Sequence, residues 1–196
     1  NRLSTMKQTI IAVICFLCVS SLYIQAQKIN HPSLLYTPQR IQQVKQRMQH
    51  EPKLQEAWGD IKKTADKALQ KKDFNRLDYL SLAYLMTDNK EYADAIKEIL
   101  LKAVEAESWG DVEMMARIPA WRSQLGMAHK SFLSAVGYDA AYNVMSSSER
   151  KKIAEGLKRL AVEPALGDWL LEPTRIHSLN SMGHNWWISC ACMGVF

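Results

Sequence analysis

Apolar residues in this chain recur at intervals of three and four, and no stretch alternates convincingly with period two. That property argues against sheets and for amphipathic helices, each burying one stripe of side chains. Leu54, Trp58, Ile61, Ala65 and Leu69 form one such stripe, and Tyr92, Ile96, Ile99, Leu100, Ala103 and Val104 form another. Helix ends are marked by capping residues. Thr37-Pro38 reads as an N-cap with proline at the first helical position, and the helix it opens runs to about Gln49. Glu51-Pro52 restarts the chain for a helix to about Lys71. A short helix spans Leu77 to Met86 and is broken by Asp88-Asn89. The next spans about Lys90 to Glu107 and ends at Ser108-Trp109-Gly110.

A loop to about Pro119 is expected next, then a long helix from Trp121 to Met145 with Leu125, Ala128, Phe132, Val136 and Tyr142 inward. Ser146 to Glu149 reads as a turn and cap. The helix after it runs to Val162 and is apolar at Ile153, Leu157 and Leu160. Pro164, Gly167 and Pro173 make residues 163–181 a long loop, and a last helix opens near Ser181 to Gly183. The expected fold class is all-α. Short turns make neighbouring helices antiparallel. A superhelical array such as a tetratricopeptide fold would repeat every ~34 residues, and no signature recurs at that spacing. The expectation is an incomplete α/α toroid of antiparallel helical hairpins.

The chain has 196 residues, 47% hydrophobic and 23% charged, which is globular composition. Its formal net charge is +5. Arg2 and Lys7 are the only charges in the first 26 residues, so the body carries +3. That suits an anionic substrate and is too weak to indicate nucleic acid. Cys190 and Cys192 are the only cysteines of the body. On a helix their side chains diverge by roughly 200°, so they do not bridge each other there. No Gly-rich phosphate loop or nucleophile elbow is present.

Met6-Lys7, the apolar run Thr9 to Val19 and the exit Ile24-Gln25-Ala26 have the order of a secretory signal. The apolar run is shorter than the roughly 20 residues that span a bilayer. Residues 1–26 are therefore expected to be a signal peptide starting at Met6 and cut after Ala26. Residues 27–196 follow as a periplasmic or secreted body without stable membrane association. Cys15 and Cys18 each follow a bulky residue, which disfavours a lipoprotein. The uncapped, apolar stretch up to Phe196 reads as a truncated end.

Three stretches resemble one family. His31-Pro32-Ser33-Leu34-Leu35-Tyr36-Thr37-Pro38, with Ile41 and Val44 after it, looks like the first segment of heparinase II/III-like and alginate-lyase-like polysaccharide lyases. Ala135-Val136-Gly137-Tyr138-Asp139-Ala140-Ala141-Tyr142, followed by Ser146 to Arg150 and Ile153, is similar to a helix–turn–helix in the middle of their toroid. Gly183-His184-Asn185-Trp186-Trp187 resembles the segment that opens a cavity-lining helix. The resemblance implies an α/α toroid, followed by β-sandwich domains that would lie beyond Phe196. It also implies cleavage of a uronic-acid polysaccharide by β-elimination, without a cofactor or metal.

Such a reaction removes the C5 proton of a uronate, α to a carboxylate, and breaks the bond to O4. The carboxylate must be neutralised, and preorganised donors do this best where charge grows in the transition state. By the resemblance Asn185 is the neutraliser; in the first turn of a helix it also gains the dipole's positive end. His184 orients the carboxylate or acts as base. The two stand about 100° apart on a regular helix, and Gly183 permits the irregular turn that would bring them together. Arg175 and His177 in the preceding loop, Arg117 and Arg122, and the aromatics Trp121, Trp186 and Trp187 are candidate substrate contacts. Related lyases draw their tyrosine base and acid from later in the chain, so this fragment is expected to be inactive alone. His177 and His184 lack a metal-ligand spacing.

Two other readings fit less well. A toroid glycoside hydrolase needs two carboxylates flanking a bond, for which Asp111, Asp168 and Glu172 are available. A non-catalytic glycan-binding protein would use the aromatics without the His184–Asn185 pair. Asp139 reads as structural, and Tyr138 and Tyr142, four apart, as packing partners.

Overall fold

The computed structural model describes residues 29–118, 120–171, 189 and 190. The signal segment 1–26 and the opening of the last helix near Ser181 lie outside the described residues. Among the described residues the protein is all-helical, with no strand.

Helix α1 spans Pro38–Met48 and α2 spans Pro52–Lys71. The Thr37 hydroxyl accepts the Arg40 N–H at 3.3 Å, as an N-cap should. Glu51 makes no side-chain cap for α2; its carboxylate takes Arg47 at 2.8 and 2.9 Å instead. Helix α2 closes on Lys72 in the left-handed region, φ 49°, with Lys72 N–H donating to Leu69 O and Asp73 N–H to Ala68 O. This is a Schellman closure made without glycine. A 3₁₀ turn, Phe74–Arg76, leads into α3, Leu77–Thr87. Asp88, φ 58°, ends α3, and Asn89 caps α4, Lys90–Ala103, by accepting the Glu91 N–H at 3.0 Å. The two-residue link makes α3 and α4 a helical hairpin.

Helix α3 is the hub, packing against α2, α4 and α6 (Leu125–Ala141). That explains its lack of a single apolar stripe: Leu77, Leu80, Ala83 and Met86 are buried on different sides. Ser81 is buried among them and donates its hydroxyl to Leu77 O. Gly137 of α6 lets the three helices meet, because a Cβ there would stand 3.3 Å from both Ile96 and Leu77. Met127, Leu133 and Ile153 extend this core.

Three expected boundaries are corrected. Helix α4 ends at Ala103, four residues before Glu107. The Arg159 guanidinium collects the carbonyls of Val104, Ala106 and Glu107 at 2.9–3.1 Å, and Trp109 Nε1 donates to Ala103 O. Tertiary donors there replace the next helical turn. The expected loop up to residue 119 contains a short helix, α5 (Val112–Met115), capped by Asp111. The long helix begins at Leu125 rather than Trp121, and Leu125 is exposed rather than inward.

The largest difference lies in the expected loop from residue 163. Helix α7, Ser147–Leu157, opens with a reciprocal Ser146–Glu149 capping box and does not stop at Val162. Its backbone stays helical through a π turn, Lys158–Val162, then Glu163–Ala165, then a second π turn, Leu166–Leu170. Pro164 has no N–H and its ring crowds the carbonyl four residues back. The wider i→i+5 spacing of π turns accommodates it, and Leu171 N–H closes on Leu166 O at 2.8 Å.

Candidate functional site

Two buried carboxylates organise the polar part of this body. The first is Asp139 of α6. Its Oδ1 meets His31 Nδ1 at 2.6 Å, and it accepts backbone N–H groups from Ser33 (3.0 and 2.9 Å) and Leu34 (2.8 Å). The His31 ring stacks on Tyr142 with centroids 3.8 Å apart, and Asn143 donates to His31 O. Tyr142 also meets Tyr138 edge-on and carries the Arg150 guanidinium 4.6 Å from its centroid. Burial pushes the Tyr138 hydroxyl above its ordinary pKa. Two separated sequence stretches, His31 to Pro38 and Ala135 to Tyr142, thus meet at one carboxylate. Asp139 is structural, as expected.

The second carboxylate, Asp168, sits in the second π turn and is fully buried. One oxygen accepts the backbone N–H groups of Arg122 (2.7 Å) and Ser123 (2.9 Å). The other accepts Arg122 Nε and Nη2 at 3.1 and 3.0 Å. Gly167 makes room for this: a Cβ there would lie 2.4 Å from Arg122 Nη2. Trp169 Nε1 donates to the buried Ser123 hydroxyl. Gln124 closes the segment from the other side, accepting Asp111 N–H and donating to Trp121 O. These bonds occupy the polar groups of residues 122–124 and hold them out of helix α6.

The result is a fixed ledge. Arg117 is exposed and places its guanidinium 5.2 Å from the Trp121 ring. Trp121 is half-buried, its N–H bonded to Met114 O, and packs on a small cluster of Ala128, Trp169 and Cys190. Burial pushes the Cys190 thiol up to about 12, with the Asp168 charge adding to it, so that thiol stays protonated. Arg122 also lines a cleft of ≈160 Å³ with Arg159, Met115, Glu163 and Pro164. The exposed Arg117 guanidinium thus stands against the Trp121 ring, and the Arg122 guanidinium is half engaged by Asp168.

Of the residues expected to bind substrate, Arg117 and Trp121 are brought into contact, and Arg122 follows Trp121 in the chain. Arg122 uses part of its guanidinium on Asp168. Asn185, His184, Trp186, Trp187, Arg175 and His177 lie outside the described residues. Asp168, Gly167, Ser123 and Gln124 were not singled out as the support of a site. Among the described residues no group of acidic, histidine or cysteine side chains is placed to hold a metal ion, and no helix is long and apolar enough to cross a membrane. Compared with known proteins, the chain matches no family model, no curated protein and no solved structure.

Proposed function

We propose that this protein acts on an acidic polysaccharide, as the helical body of an exported lyase that cleaves uronic-acid chains by β-elimination. The observation that carries the reading is the Arg117–Trp121–Arg122 ledge. An exposed guanidinium pairs with a sugar carboxylate, and one held against an aromatic ring loses less entropy on binding. The resemblance of three ordered stretches to heparinase II/III-like proteins adds to it. The helical hairpins fit part of an α/α toroid, whose closure belongs to this proposal.

In this reading Asn185 and His184 face the carboxylate of the bound uronate. Asn185 donates to that carboxylate as the C5 proton leaves, and His184 orients it or takes the proton. Electrons from the C5–H bond form the C4–C5 double bond as the C4–O4 bond breaks, and O4 leaves with a proton from an acid. Arg175, His177, Trp186 and Trp187 extend the substrate contacts. A signal cut after Ala26 would deliver the body to the periplasm or the exterior.

The hydrolase reading has less support. Asp168 is buried and holds four donor contacts, and the Asp111 carboxylate caps α5. Neither is placed to flank a glycosidic bond, and Glu172 lies outside the described residues.

The test is a substrate panel on the product of the complete reading frame without its signal, following the ultraviolet absorbance of unsaturated uronate. Alginate, heparan sulfate, chondroitin, hyaluronan and ulvan stand beside the Asn185→Ala variant. A rise on one polymer that the variant loses is expected. Reducing ends released without that absorbance would establish a hydrolase, and binding without cleavage a glycan-binding protein.

A further inference from the structure

Lys63, Lys67 and Lys71 stand four residues apart on α2, and all three are exposed. They share one face, rising about 6 Å from each to the next. Toward the N-terminus the same stripe turns acidic at Asp60 and Glu56, so positive charge is gathered at one end. Among the described residues none of these three ammoniums is in an ion pair; Asp66, beside them, is held by Lys62 and Tyr92.

Stability does not account for the row. Like charges at i,i+4 repel and weaken a helix by about 0.2–0.5 kcal/mol per pair. The helix dipole rewards cations only within the last turn. That covers Lys71, whereas Lys67 and Lys63 lie one and two turns earlier.

The row opens into a concave surface between the ends of α2 and α4. This cleft of ≈390 Å³ is lined by Lys71, Lys72 and Lys102, by Glu98 and by the Phe74 ring. Glu98 is taken by Lys72. Lys71 and Lys102 are left without a carboxylate partner among the described residues. Near the ends of α2 and α4 the carbonyls of Leu69, Ala68 and Ala103 accept from the Lys72 and Asp73 N–H groups and from Trp109 Nε1.

We propose that this surface is a second contact for a linear acidic glycan, carboxylated or sulfated, outside the Arg117–Trp121–Arg122 ledge. It rests on the reading that the protein acts on acidic polysaccharide. Charges repeated along a polymer meet a row of ammoniums repeated along a helix. The cleft at the end of the row pairs two unmatched ammoniums with an aromatic ring, which suits one anionic sugar better than a bare phosphate backbone.

The experiment measures binding of size-defined polygalacturonate and dextran sulfate, and of a single-stranded DNA of equal charge. The full-length protein is compared with its K63Q/K67Q/K71Q/K102Q variant. All four lysines are exposed, so the variant keeps the native thermal unfolding profile. It should bind one or both saccharides at least tenfold more weakly. Its slope of log affinity against log salt should fall by about three, at roughly 0.7 for each lost contact. The sulfated and carboxylated arms distinguish the two anion types.

Unchanged affinity and slope would overturn the proposal, and tighter binding of DNA than of either saccharide would reassign the surface to nucleic acid. Dextran sulfate contains no uronate, so its binding is independent of elimination chemistry. Absence of unsaturated product with binding retained sinks only the lyase reading, whereas elimination with unchanged variant binding sinks only this surface.

Discussion

Asp168 holds Arg122 twice, through its backbone N–H on one carboxylate oxygen and through Nε and Nη2 on the other. The carboxylate is fully buried while the arginine side chain is one-third exposed. This one side chain therefore fixes where the ledge of Arg117, Trp121 and Arg122 stands relative to α7.

The asymmetry predicts an order of effects. Asp168→Ala leaves the Arg122 and Ser123 N–H groups and a guanidinium without their acceptor, and should destabilise the protein by about 3–5 kcal/mol, at about 1–3 kcal/mol for each unsatisfied donor. Arg122→Ala leaves the carboxylate with two backbone donors and should lose less, about 2 kcal/mol. Urea unfolding of the two variants checks the order. Equal losses would show that the backbone contacts contribute nothing.

Asp139 makes the corresponding prediction for the first segment of the body. Asp139→Ala removes the acceptor of the Ser33 and Leu34 N–H groups and the partner of His31. Hydrogen bonds to a charged group contribute roughly 1.5–3 kcal/mol, so a loss of about 3 kcal/mol is expected. Amide exchange at Ser33 and Leu34 should accelerate selectively, while α3 and α4 stay protected. Uniform acceleration across the helices would show that Asp139 supports the whole core instead.

How much of this was legible in the sequence divides along physical lines. Local signals were readable. Thr37 and Ser146 cap helices where their side chains reach backbone N–H groups a few residues ahead, and the α4 stripe from Tyr92 to Val104 is buried but for the half-buried Ala103. Signals that depend on distant partners were not. Pro164 and Gly167 read as breakers, yet π turns absorb the proline and the glycine makes room for Arg122. The start of α6 was misplaced because Arg122, Ser123 and Gln124 give their polar groups to Asp168, Trp169 and Asp111, and residues 45 apart in sequence announce nothing to each other. Asp168 itself was visible only as one of several spare carboxylates. The Lys63–Lys67–Lys71 spacing was in plain view, but a modest net charge hides a local row.

The Ser146–Glu149 capping box carries a pH dependence. The Ser146 backbone and hydroxyl hold the Glu149 carboxyl below its usual value of 4.5, with Lys97 adding to this. A group whose folded pKa is depressed stabilises above its unfolded pKa and loses that contribution as pH falls through the folded one. Wild type should therefore be more stable than Glu149→Gln at neutral pH. The difference should shrink as the pH drops below about 4.5, measured as the gap between the two thermal midpoints. A gap that persists unchanged at pH 3 would show that charge has no part in the cap.

Gly156 marks the closest approach of α7 to the end of α4. A Cβ placed there would lie 2.4 Å from Val104 Cβ and 2.6 Å from its Cγ1. Val104 is itself buried, and its β-branched side chain has no long flexible end to swing away. Gly156→Ala must push the helices apart, and overpacking of this kind costs about 1–3 kcal/mol. The opposing effect, a better helix former replacing glycine, is worth only about 1 kcal/mol, so the clash wins. Val104→Ala alone leaves a cavity and should also destabilise. Combined, Val104→Ala removes the Cγ1 clash and keeps the Cβ one at 2.4 Å, so the double variant should recover only part of the Gly156→Ala loss. Additive losses by urea unfolding would mean that α7 and α4 already have room to separate.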